Sequence, residues 1–487
     1  MRTDTPDALQ LVVHEIEAGV RPVRLRLPFR FGAVTLNAAP QLFVRAQVEV
    51  AGRGMHTGHA AELMVPKWFD KRAGRSLADN VSDLAASVQM ARAAYMQDKP
   101  AAPFDLYARH AGALQRQGAS DGLTELGSAY GQAVIDRAVL DAVCRALGVS
   151  FFDAITHNLV GLHDTPLTPE LHGLDWNAWL AELTPLHTLT ARHTVGMLDE
   201  LHHAAAGGSG DDLPRSLPAV IARYGNRVFK IKLGGQPTAD AARLAEVLDV
   251  LDRHAPGHRY TLDGNEQYTD AAALSEFFAQ LSAVPAYARR PNALLYIEQP
   301  VARERSFDIA LPAGESPAPL LMDEADGTLD AFVRGRELGW RGVSSKGCKG
   351  MYKALVNRAR CRRWNDAAAV NEQDAPNARY FMSAEDLTCQ AGLAVQQDLA
   401  LAAMLGLTHC ERNGHHYADG FGDAPAEEQQ AFAAAHGDLY DTHDGHTRLA
   451  IRAGRIAIDS LFAPGFAHSA DPDWRAMQPL ADATTMV

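Results

Sequence analysis

The chain has 487 residues, 47% of them hydrophobic and 22% charged, which is enough apolar material for two domains or for a barrel with an accessory domain. Its net charge of -13 argues against nucleic acid or an acidic membrane surface as the main partner. Its five cysteines show no CxxC pair and no regular spacing, which indicates neither a disulfide framework nor a zinc cluster and favours a reducing, cytoplasmic setting.

No segment of the sequence is predicted to cross a membrane or to direct secretion. The first thirty residues lack an apolar run and contain four acidic residues, so they do not resemble a signal peptide. The longest apolar helical run, LALAAMLGL at 399–407, is too short to span a bilayer. We therefore expect a soluble protein.

The N-terminal part of the chain is predicted to form strands followed by helices. Apolar and polar residues alternate within 23–51, and apolar residues recur at helical spacing from about 79 to 160. This order predicts a separate α+β domain. Further along, GGSGDD at 207–212 is typical of a surface loop.

The middle of the chain repeats a strand-then-helix pattern. Its predicted strands end at five ionisable markers: Lys232, Asp263, Glu298, Asp323 and Lys346. The markers lie 31, 35, 25 and 23 residues apart, and a βα unit of an eightfold barrel takes roughly 30 residues. The spacing predicts a (β/α)8 barrel, whose C-terminal strand ends would bring these side chains together at the mouth.

The first of these strands, RVFKIKLGG at 227–235, holds two lysines in an otherwise apolar run. Alternation places Lys230 and Lys232 on one face of the strand and its large apolar residues on the other. Taken alone, the stretch is typical of an edge strand with a solvated lysine face. Within a barrel, the two lysines would instead face the mouth.

Carboxylates and lysines at one barrel mouth form a coherent chemical set. Asp263, Glu298 and Asp323 offer hard oxygen ligands suited to Mg²⁺, and without a cation they would repel one another. A neighbouring cation lowers the pKa of a lysine toward neutrality, so one member of the Lys230–Lys232 pair becomes a usable base. The lysine after the sixth strand is a second base or acid.

Five motifs, in order and at barrel spacing, resemble the enolase superfamily, most closely its mandelate racemase and muconate lactonizing branch: KIK, LDGN, IEQP, MDEAD and SSKGCKG. Lysine or histidine bases beside magnesium are an established feature of that superfamily. The resemblance implies an α/β fold in which a TIM-like (β/α)8 barrel carries an α+β capping domain completed by the C-terminal tail. It places the cap at 1–163, the barrel at 164–435 and the returning segment at 436–487.

The resemblance also assigns the main roles residue by residue. Asp263, Glu298 and Asp323 would bind the magnesium ion. Lys232 would be the base on one face of the substrate carbon, and Lys346 would be the acid or base on the other face.

Three further residues receive secondary roles from the same resemblance. Lys230 would lower the pKa of Lys232 and contact the substrate carboxylate. Asn265 would be a substrate contact or support a ligand. Lys349 lies one helical turn from Lys346 and is expected to be structural.

Two features leave alternatives open. Glu324 competes with Asp323 as a ligand, and because neighbours on a strand point to opposite faces, only one should face the mouth. We choose Asp323, since the family places its ligand at the first acidic residue of the pair. The segment 54–69, with an exposed-looking Trp68, is either a loop that closes over the barrel and sets specificity or a hairpin with a packed aromatic.

The position of the second lysine restricts the types of reaction that the resemblance implies. Acid-sugar dehydratases and mandelate racemases use a histidine on the seventh strand, supported by an aspartate on the sixth. Here the sixth strand carries Lys346, and the seventh, RYFMSAEDLT at 379–388, has no histidine. A lysine pair suits 1,1-proton transfer, cycloisomerisation or syn-dehydration.

The eighth predicted strand, within GLTHCERNGHHY at 406–417, adds polar residues. Glu411 and Asn413 share a face and are candidates for binding a substrate amine or hydroxyl, although ordinary rim residues fit the pattern better. His415 and His416 suggest a metal site, but adjacent histidines diverge and no third ligand is evident, so a loop is the favoured interpretation.

Two classes of function follow. The first is a magnesium-dependent isomerase or lyase that removes the α-proton of a small carboxylate-bearing substrate to give a metal-stabilised enediolate, leading to racemisation, epimerisation, cycloisomerisation or syn-dehydration. The alternatives are an acid-sugar dehydratase of the same superfamily or a catalytically silent barrel with a binding role. Intact ligands and both lysines favour the enzyme, because a structural barrel has no reason to keep uncompensated charge in a desolvated mouth. We expect a homo-oligomer, with neither nucleic acid nor a membrane as partner.

Overall fold

The computed structural model describes residues 9–32, 34–202, 212–308, 316–368 and 379–487. The loop predicted at 207–212 lies outside the described residues except for its last position. No helix within these ranges is long and apolar enough to cross a membrane. All five cysteines are buried and unpaired.

The N-terminal part is an antiparallel sheet covered by helices. Its strands are β1 (Leu11–Phe31), β2 (Val34–Val50) and β3 (Gly54–Leu63), which pair in that order. The strands are longer than the alternating pattern indicates, and β3 falls in the segment 54–69, for which a hairpin was one of the two alternatives. The helices that follow are α1 (Leu77–Met96), α2 (Pro103–Ser120), α3 (Glu125–Leu147) and α4 (Phe151–Thr156).

Helix α3 is the central helix of this part. It begins after Thr124, whose side chain accepts a hydrogen bond from the Gly127 amide, and it ends at Gly148 in the left-handed region with φ of 68°. Strand β3 approaches α3 so closely that a Cβ on Gly58 would lie 2.0 Å from the carbonyl oxygen of Ala138. The absence of a side chain at Gly58 therefore allows the sheet to pack on the helix.

Eight parallel strands close into a barrel, because each pairs with the next and the last pairs with the first. They are β4 (Thr188–Val195), β5 (Val228–Lys232), β6 (Arg259–Asp263), β7 (Leu294–Glu298), β8 (Leu320–Met322), β9 (Gly342–Ser345), β10 (Phe381–Ala384) and β11 (His409–Arg412). The predicted barrel with an α+β cap is confirmed.

Helices precede and surround these strands. They are α5 (Trp176–Ala181), α6 (Leu217–Tyr224), α7 (Pro237–His254), α8 (Ala271–Leu281), α9 (Pro285–Arg289), α10 (Ala331–Glu337), α11 (Met351–Ala367), α12 (Leu393–Met404), α13 (Gly414–Tyr417) and α14 (Ala426–Ala435).

Strand β5 lies between β4 and β6 and is buried along its whole length, so it is not an edge strand. Phe229 and Ile231 belong to one apolar core with residues of α7 such as Leu244. Lys230 and Lys232 alternate with them and face the barrel mouth. The predicted division of faces is therefore confirmed.

The C-terminal tail passes the barrel and returns to the N-terminal sheet. Its strands are β12 (Tyr440–His443), β13 (His446–Leu449), β14 (Arg455–Ala457) and β15 (Gln478–Pro479). Strand β14 pairs with β4, and β15 pairs with β1. His468 also contacts Asp141 of α3, with 2.9 Å between Nε2 and Oδ2. The domain boundaries at 163 and 435 stay predictions.

Candidate active site at the barrel mouth

The five marker residues lie together at the C-terminal ends of the barrel strands. Lys232, Asp263 and Glu298 are the last residues of β5, β6 and β7. Asp323 and Lys346 directly follow β8 and β9. None is more than 5% exposed, so all five charges are held in a desolvated space.

The two outer lysines approach this space from opposite sides. Lys232 Nζ donates to Asp263 Oδ2 at 2.7 Å, and Lys346 Nζ donates to Asp323 Oδ2 at 2.8 Å. Because β5 and β9 are four strands apart in a ring of eight, the lysines project from opposite walls. Both line one small cavity of about 20 Å³.

Lys230 lies at the centre of a ring of carboxylates. Its Nζ is 2.9 Å from oxygens of Asp263, Glu298 and Glu385, and 3.0 Å from Glu411. Burial lowers the pKa of Lys230, but the four carboxylates outweigh burial and hold that pKa well above its usual value. Lys230 is therefore a permanent cation here, and its predicted contact with a substrate carboxylate stays a prediction.

Glu298 carries an oxygen whose hydrogen-bonding capacity is unused. Burial, Asp263 and Glu385 raise the pKa of Glu298 well above its usual value. Its Oε2 is buried and has no hydrogen-bond partner among the described residues. Such an orphaned oxygen is costly, and a cation would supply the missing partner. Three carboxylates on consecutive strands are also the donors that Mg²⁺ prefers, so the residues present fit that ion.

Asp323 and Glu324 do not alternate as strand residues would. Strand β8 ends at Met322, so both carboxylates lie in the turn beyond it, and both are buried. Asp323 Oδ1 accepts a hydrogen bond from Ser344 Oγ at 2.5 Å, and Oδ2 contacts Lys346. The assumption that strand alternation points the two acidic side chains in opposite directions was wrong, because neither residue belongs to the strand. The two carboxylates nevertheless contact different residues.

Glu324 binds a different set of residues from Asp323. Its Oε1 is 3.2 Å from Asn265 Nδ2 and 3.3 Å from Lys71 Nζ. Asn265 donates its backbone amide to Asp263 Oδ1 at 2.9 Å and lines the cavity. Asn265 thus links the Asp263 carboxylate to Glu324 and to Lys71 of the cap.

Lys349, which the sequence assigned a structural role, contacts a candidate ligand directly. Its Nζ is 3.0 Å from Asp323 Oδ1 and donates to Ser344 Oγ at 2.6 Å. The feature of the sequence that bore on this contact was the i, i+3 spacing of the two lysines in KGCK. Asp323 is therefore held between two ammonium groups.

Glu385 is a mouth residue that sequence reasoning missed. It follows β10 directly and receives hydrogen bonds from Arg192 at 2.5 Å, Tyr296 at 2.8 Å and Lys230 at 2.9 Å. The acidic pair in SAED, at the end of the seventh predicted strand, was the available signal. Glu385 is therefore the residue through which the seventh barrel strand contributes a carboxylate to the ring around Lys230.

Glu411 and Asn413 are buried and line the cavity, so they are not ordinary rim residues. Glu411 Oε1 accepts hydrogen bonds from Thr194 at 2.7 Å and from Asn413 Nδ2 at 3.0 Å. Burial raises the pKa of Glu411, but Lys230 and Lys232 outweigh burial and hold that pKa well below its usual value.

Two aromatic residues of the cap cover the mouth. Lys346 Nζ lies 4.3 Å from the Trp68 ring centroid, and Lys232 Nζ lies 5.8 Å from that of Phe29. Trp68 is only 4% exposed, so the expectation that this tryptophan is exposed was wrong. The segment 54–69 combines both alternatives, because β3 extends to Leu63 and the following residues carry a packed aromatic over the site. Its role in specificity stays a prediction.

The loop predicted for His415 and His416 was wrong, because they belong to the short helix α13. His416 also has candidate partner ligands from elsewhere in the fold, namely His193 and Asp199. Their sequence separation of more than 200 residues explains why no third ligand was evident.

These observations define a capped (β/α)8 barrel with a charged mouth. No protein-family model matches the sequence, and no curated protein matches it. Solved structures do share the fold. The muconate lactonizing enzyme from Pseudomonas fluorescens, complexed with muconolactone, has a TM-score of 0.55 and 15% identity, covering 94% of this chain and 97% of that chain.

Two further structures agree. An enolase from Bradyrhizobium, complexed with magnesium and mandelic acid, has a TM-score of 0.56 and 16% identity over 96% of this chain and 97% of that chain. A mandelate racemase/muconate lactonizing protein from Herpetosiphon aurantiacus has a TM-score of 0.57 and 15% identity over 94% and 99%. The chain therefore has the fold of the mandelate racemase and muconate lactonizing branch of the enolase superfamily.

Proposed function

We propose that this protein is a magnesium-dependent enzyme of the enolase superfamily that removes the α-proton of a small carboxylate substrate. Lys232 and Lys346 act on opposite faces of the same carbon. The observation that carries the proposal is their placement on opposite barrel walls, where both line one small cavity together with Asp263 and Glu411.

Asp263, Glu298 and Asp323 would hold the ion. Support comes from the unpartnered Oε2 of Glu298 and from an all-oxygen donor set on three consecutive strands. When bound, magnesium supplies positive charge to the substrate carboxylate oxygens as negative charge develops on them.

Lys346 must be neutral to accept a proton. Burial lowers the pKa of Lys346, but Asp323 outweighs burial and raises that pKa above its usual value. If Asp323 held the ion, Lys346 would lose part of the interaction with Asp323 that keeps it protonated. Coordination of the ion by Asp323 would therefore help Lys346 to become neutral and act as a base.

Lys230 and the cap aromatics support the lysine bases without moving a proton. Lys230 remains charged among its carboxylates and would attract the substrate carboxylate. Phe29 and Trp68 cover the lysine ammonium groups and would exclude water, which strengthens every charge interaction in the cavity.

The net reaction is an isomerisation or an elimination: racemisation or epimerisation, cycloisomerisation, or syn-dehydration. The ligands of two neighbouring structures, muconolactone and mandelic acid, support a small carboxylate substrate. An acid-sugar dehydratase is disfavoured, since the residue that follows β10 is Glu385, bound to Arg192 and Tyr296, where that group uses a histidine.

Solvent-isotope exchange tests the proposal. The protein is incubated in deuterated water with Mg²⁺ and a library of carboxylates with an acidic α-proton, and mass spectrometry records deuterium incorporation. We expect exchange with at least one compound, lost on chelation of Mg²⁺ and lowered by at least 10²–10⁴-fold in the Lys232→Ala/Lys346→Ala variant. Tight carboxylate binding without any exchange would favour the silent barrel.

A further inference from the structure

A second polar cluster lies on the outer side of the barrel, away from the carboxylates of the mouth. Thr194 of β4 faces the mouth, where it donates to Glu411, so its neighbour His193 faces the opposite side. His416 of α13 and Asp199 of the turn after β4 lie beside it. One ligand atom from each of the three residues lies within 4.8 Å of the others.

The histidines of this cluster have unused ring nitrogens. Nδ1 of His193 and Nδ1 of His416 are buried, and neither has a hydrogen-bond partner within the described ranges. Burial lowers the pKa of each ring to about 3, so both are neutral. A neutral imidazole with a free nitrogen is the form that binds metal ions.

Asp199 is oriented as a ligating carboxylate would be. It accepts hydrogen bonds from the Gly196 amide at 2.8 Å and from Tyr417 Oη at 2.8 and 3.0 Å, and both donors are uncharged. Such outer hydrogen bonds orient ligands in metal sites. Its Oδ2 is 3.9 Å from His416 Nε2. Two ligand atoms on a tetrahedral Zn²⁺ ion lie about 3.4 Å apart, so these two atoms would approach each other by about 0.5 Å on binding.

The described residues contain two other groups of His, Cys and carboxylate side chains, and both differ in one respect from the group of His193, Asp199 and His416. In the group of His59, Asp141 and His468, Arg145 donates to Asp141 at 3.0 Å. In the group of Asp386, Cys389 and Asp398, Arg412 forms an ion pair with Asp398. An arginine already pairs with a carboxylate in each of these two groups, whereas the hydrogen bonds that Asp199 accepts come from uncharged donors.

We propose that His193, Asp199 and His416 bind a divalent transition metal ion such as Zn²⁺. Two imidazoles and one carboxylate are a ligand set typical of zinc, with a fourth position for water. Mg²⁺ prefers oxygen ligands, so the mouth and this outer site select different metals.

The site is placed to fix the edge of the cap. Tyr417, which follows His416, packs on Phe29 with 4.2 Å between ring centroids, and Phe29 lines the cavity at the mouth. Arg26 of β1 donates to the His416 carbonyl at 2.8 Å. A bound ion would therefore hold α13 and, through these contacts, the aromatic cover over Lys232.

Cobalt substitution tests the proposal. The full chain is stripped with a chelator, excess Mg²⁺ is added, and Co²⁺ is titrated while the visible d–d spectrum is recorded. We expect one Co²⁺ per chain with a tetrahedral-type spectrum, displaced by Zn²⁺, also in the Asp263→Asn/Glu298→Gln variant. His193→Gln and His416→Gln should weaken Co²⁺ binding by at least about 100-fold, since even outer-residue changes cost 10–100-fold.

Two controls make the result decisive. His415→Gln changes the adjacent buried histidine, which lies outside the three-ligand group, and His187→Gln changes an exposed histidine paired with Asp459. Both should bind Co²⁺ like the wild type. If a histidine variant does not fold, Asp199→Asn replaces it and should show the same loss. Absence of the spectrum in the wild type, or an unchanged spectrum in the folded ligand variants, would overturn the proposal.

Discussion

Lys230 explains how four carboxylates can be buried at one point. Its ammonium group is within 3.0 Å of all four, and removing one partner of a buried ion pair leaves uncompensated charge. The fold therefore depends on this lysine in the absence of metal. The same arrangement makes the mouth ready to accept a second cation.

Lys230→Met should lower the free energy of unfolding by roughly 3–5 kcal/mol without Mg²⁺, because it leaves the carboxylates unpaired. Mg²⁺ should restore part of the loss and raise the melting temperature of the variant more than that of the wild type. Lys353→Met is the matched control, since Lys353 is also buried and pairs with Asp326 at 3.1 Å, away from the mouth. Equal Mg²⁺ effects on the two variants would contradict this explanation.

Asp136 should make the free energy of unfolding depend on pH, independently of the active site. Burial raises its pKa from 3.8 to about 8, although Tyr95 donates to its Oδ1 at 2.5 Å. Because the folded-state pKa is the higher one, its contribution to stability is complete below pH 4. It is lost as the pH rises through about 8.

Asp136→Asn removes this titration. We expect the variant to gain stability relative to the wild type between pH 5 and 8, by up to a few kcal/mol, as followed by urea unfolding. The exposed Asp482→Asn should leave the pH profile unchanged. A constant difference between Asp136→Asn and the wild type across this range would show that Asp136 does not titrate as stated.

At the scale of single elements, the end of β8 decides which acidic residue can bind the ion. Asp323 lies between Lys346 and Lys349, whereas Glu324 turns toward Asn265 and Lys71. The two residues are adjacent in the chain but contact different parts of the fold.

Asp323→Asn should abolish Mg²⁺ binding, whereas Glu324→Gln should weaken it by no more than about 10–100-fold, the usual cost of changing a residue that supports a ligand, because Glu324 acts through Asn265. Calorimetry with Mg²⁺, or electron paramagnetic resonance with Mn²⁺, measures both. Asp263→Asn and Glu298→Gln serve as positive controls for ligand loss. Stronger dependence on Glu324 than on Asp323 would reverse the assignment.

The elements also show what the sequence could and could not reveal. Strand alternation within KIK was sufficient to place Lys230 and Lys232 on the mouth side, since a two-residue period can be read from the local sequence. The grouping of His193 with His416 was not accessible, because only closure of the barrel between β4 and β11 brings them together. The contact of Lys349 with Asp323 could not be predicted, because a helical-turn spacing does not show which way the 3-10 turn points.

At the scale of the whole molecule, the site requires both the cap and the barrel. Arg303, after β7, donates to the carbonyl oxygens of Trp68 and Phe69 at 2.8 and 2.9 Å and to Glu266. The regular spacing of the five markers was enough to predict the barrel. The contacts of the cap were not, because they join residues more than 200 positions apart.

Arg303→Gln should loosen the cap segment around Trp68 without unfolding the barrel, since it removes hydrogen bonds to two backbone carbonyls. Hydrogen–deuterium exchange should rise within about residues 64–72 and stay unchanged in the barrel strands. The exposed Arg305→Gln is the control. Unchanged exchange at 64–72 would mean that Arg303 does not hold the cover in place.

The central claim is that Lys232 and Lys346 serve opposite faces of one substrate carbon. The most direct measurement follows α-proton exchange in deuterated water for each epimer of an epimerised substrate. Lys346→Ala should stop net turnover while Lys232 still exchanges the proton of one epimer, and Lys232→Ala should show the mirror pattern. Turnover like the wild type in both single variants would contradict the claim.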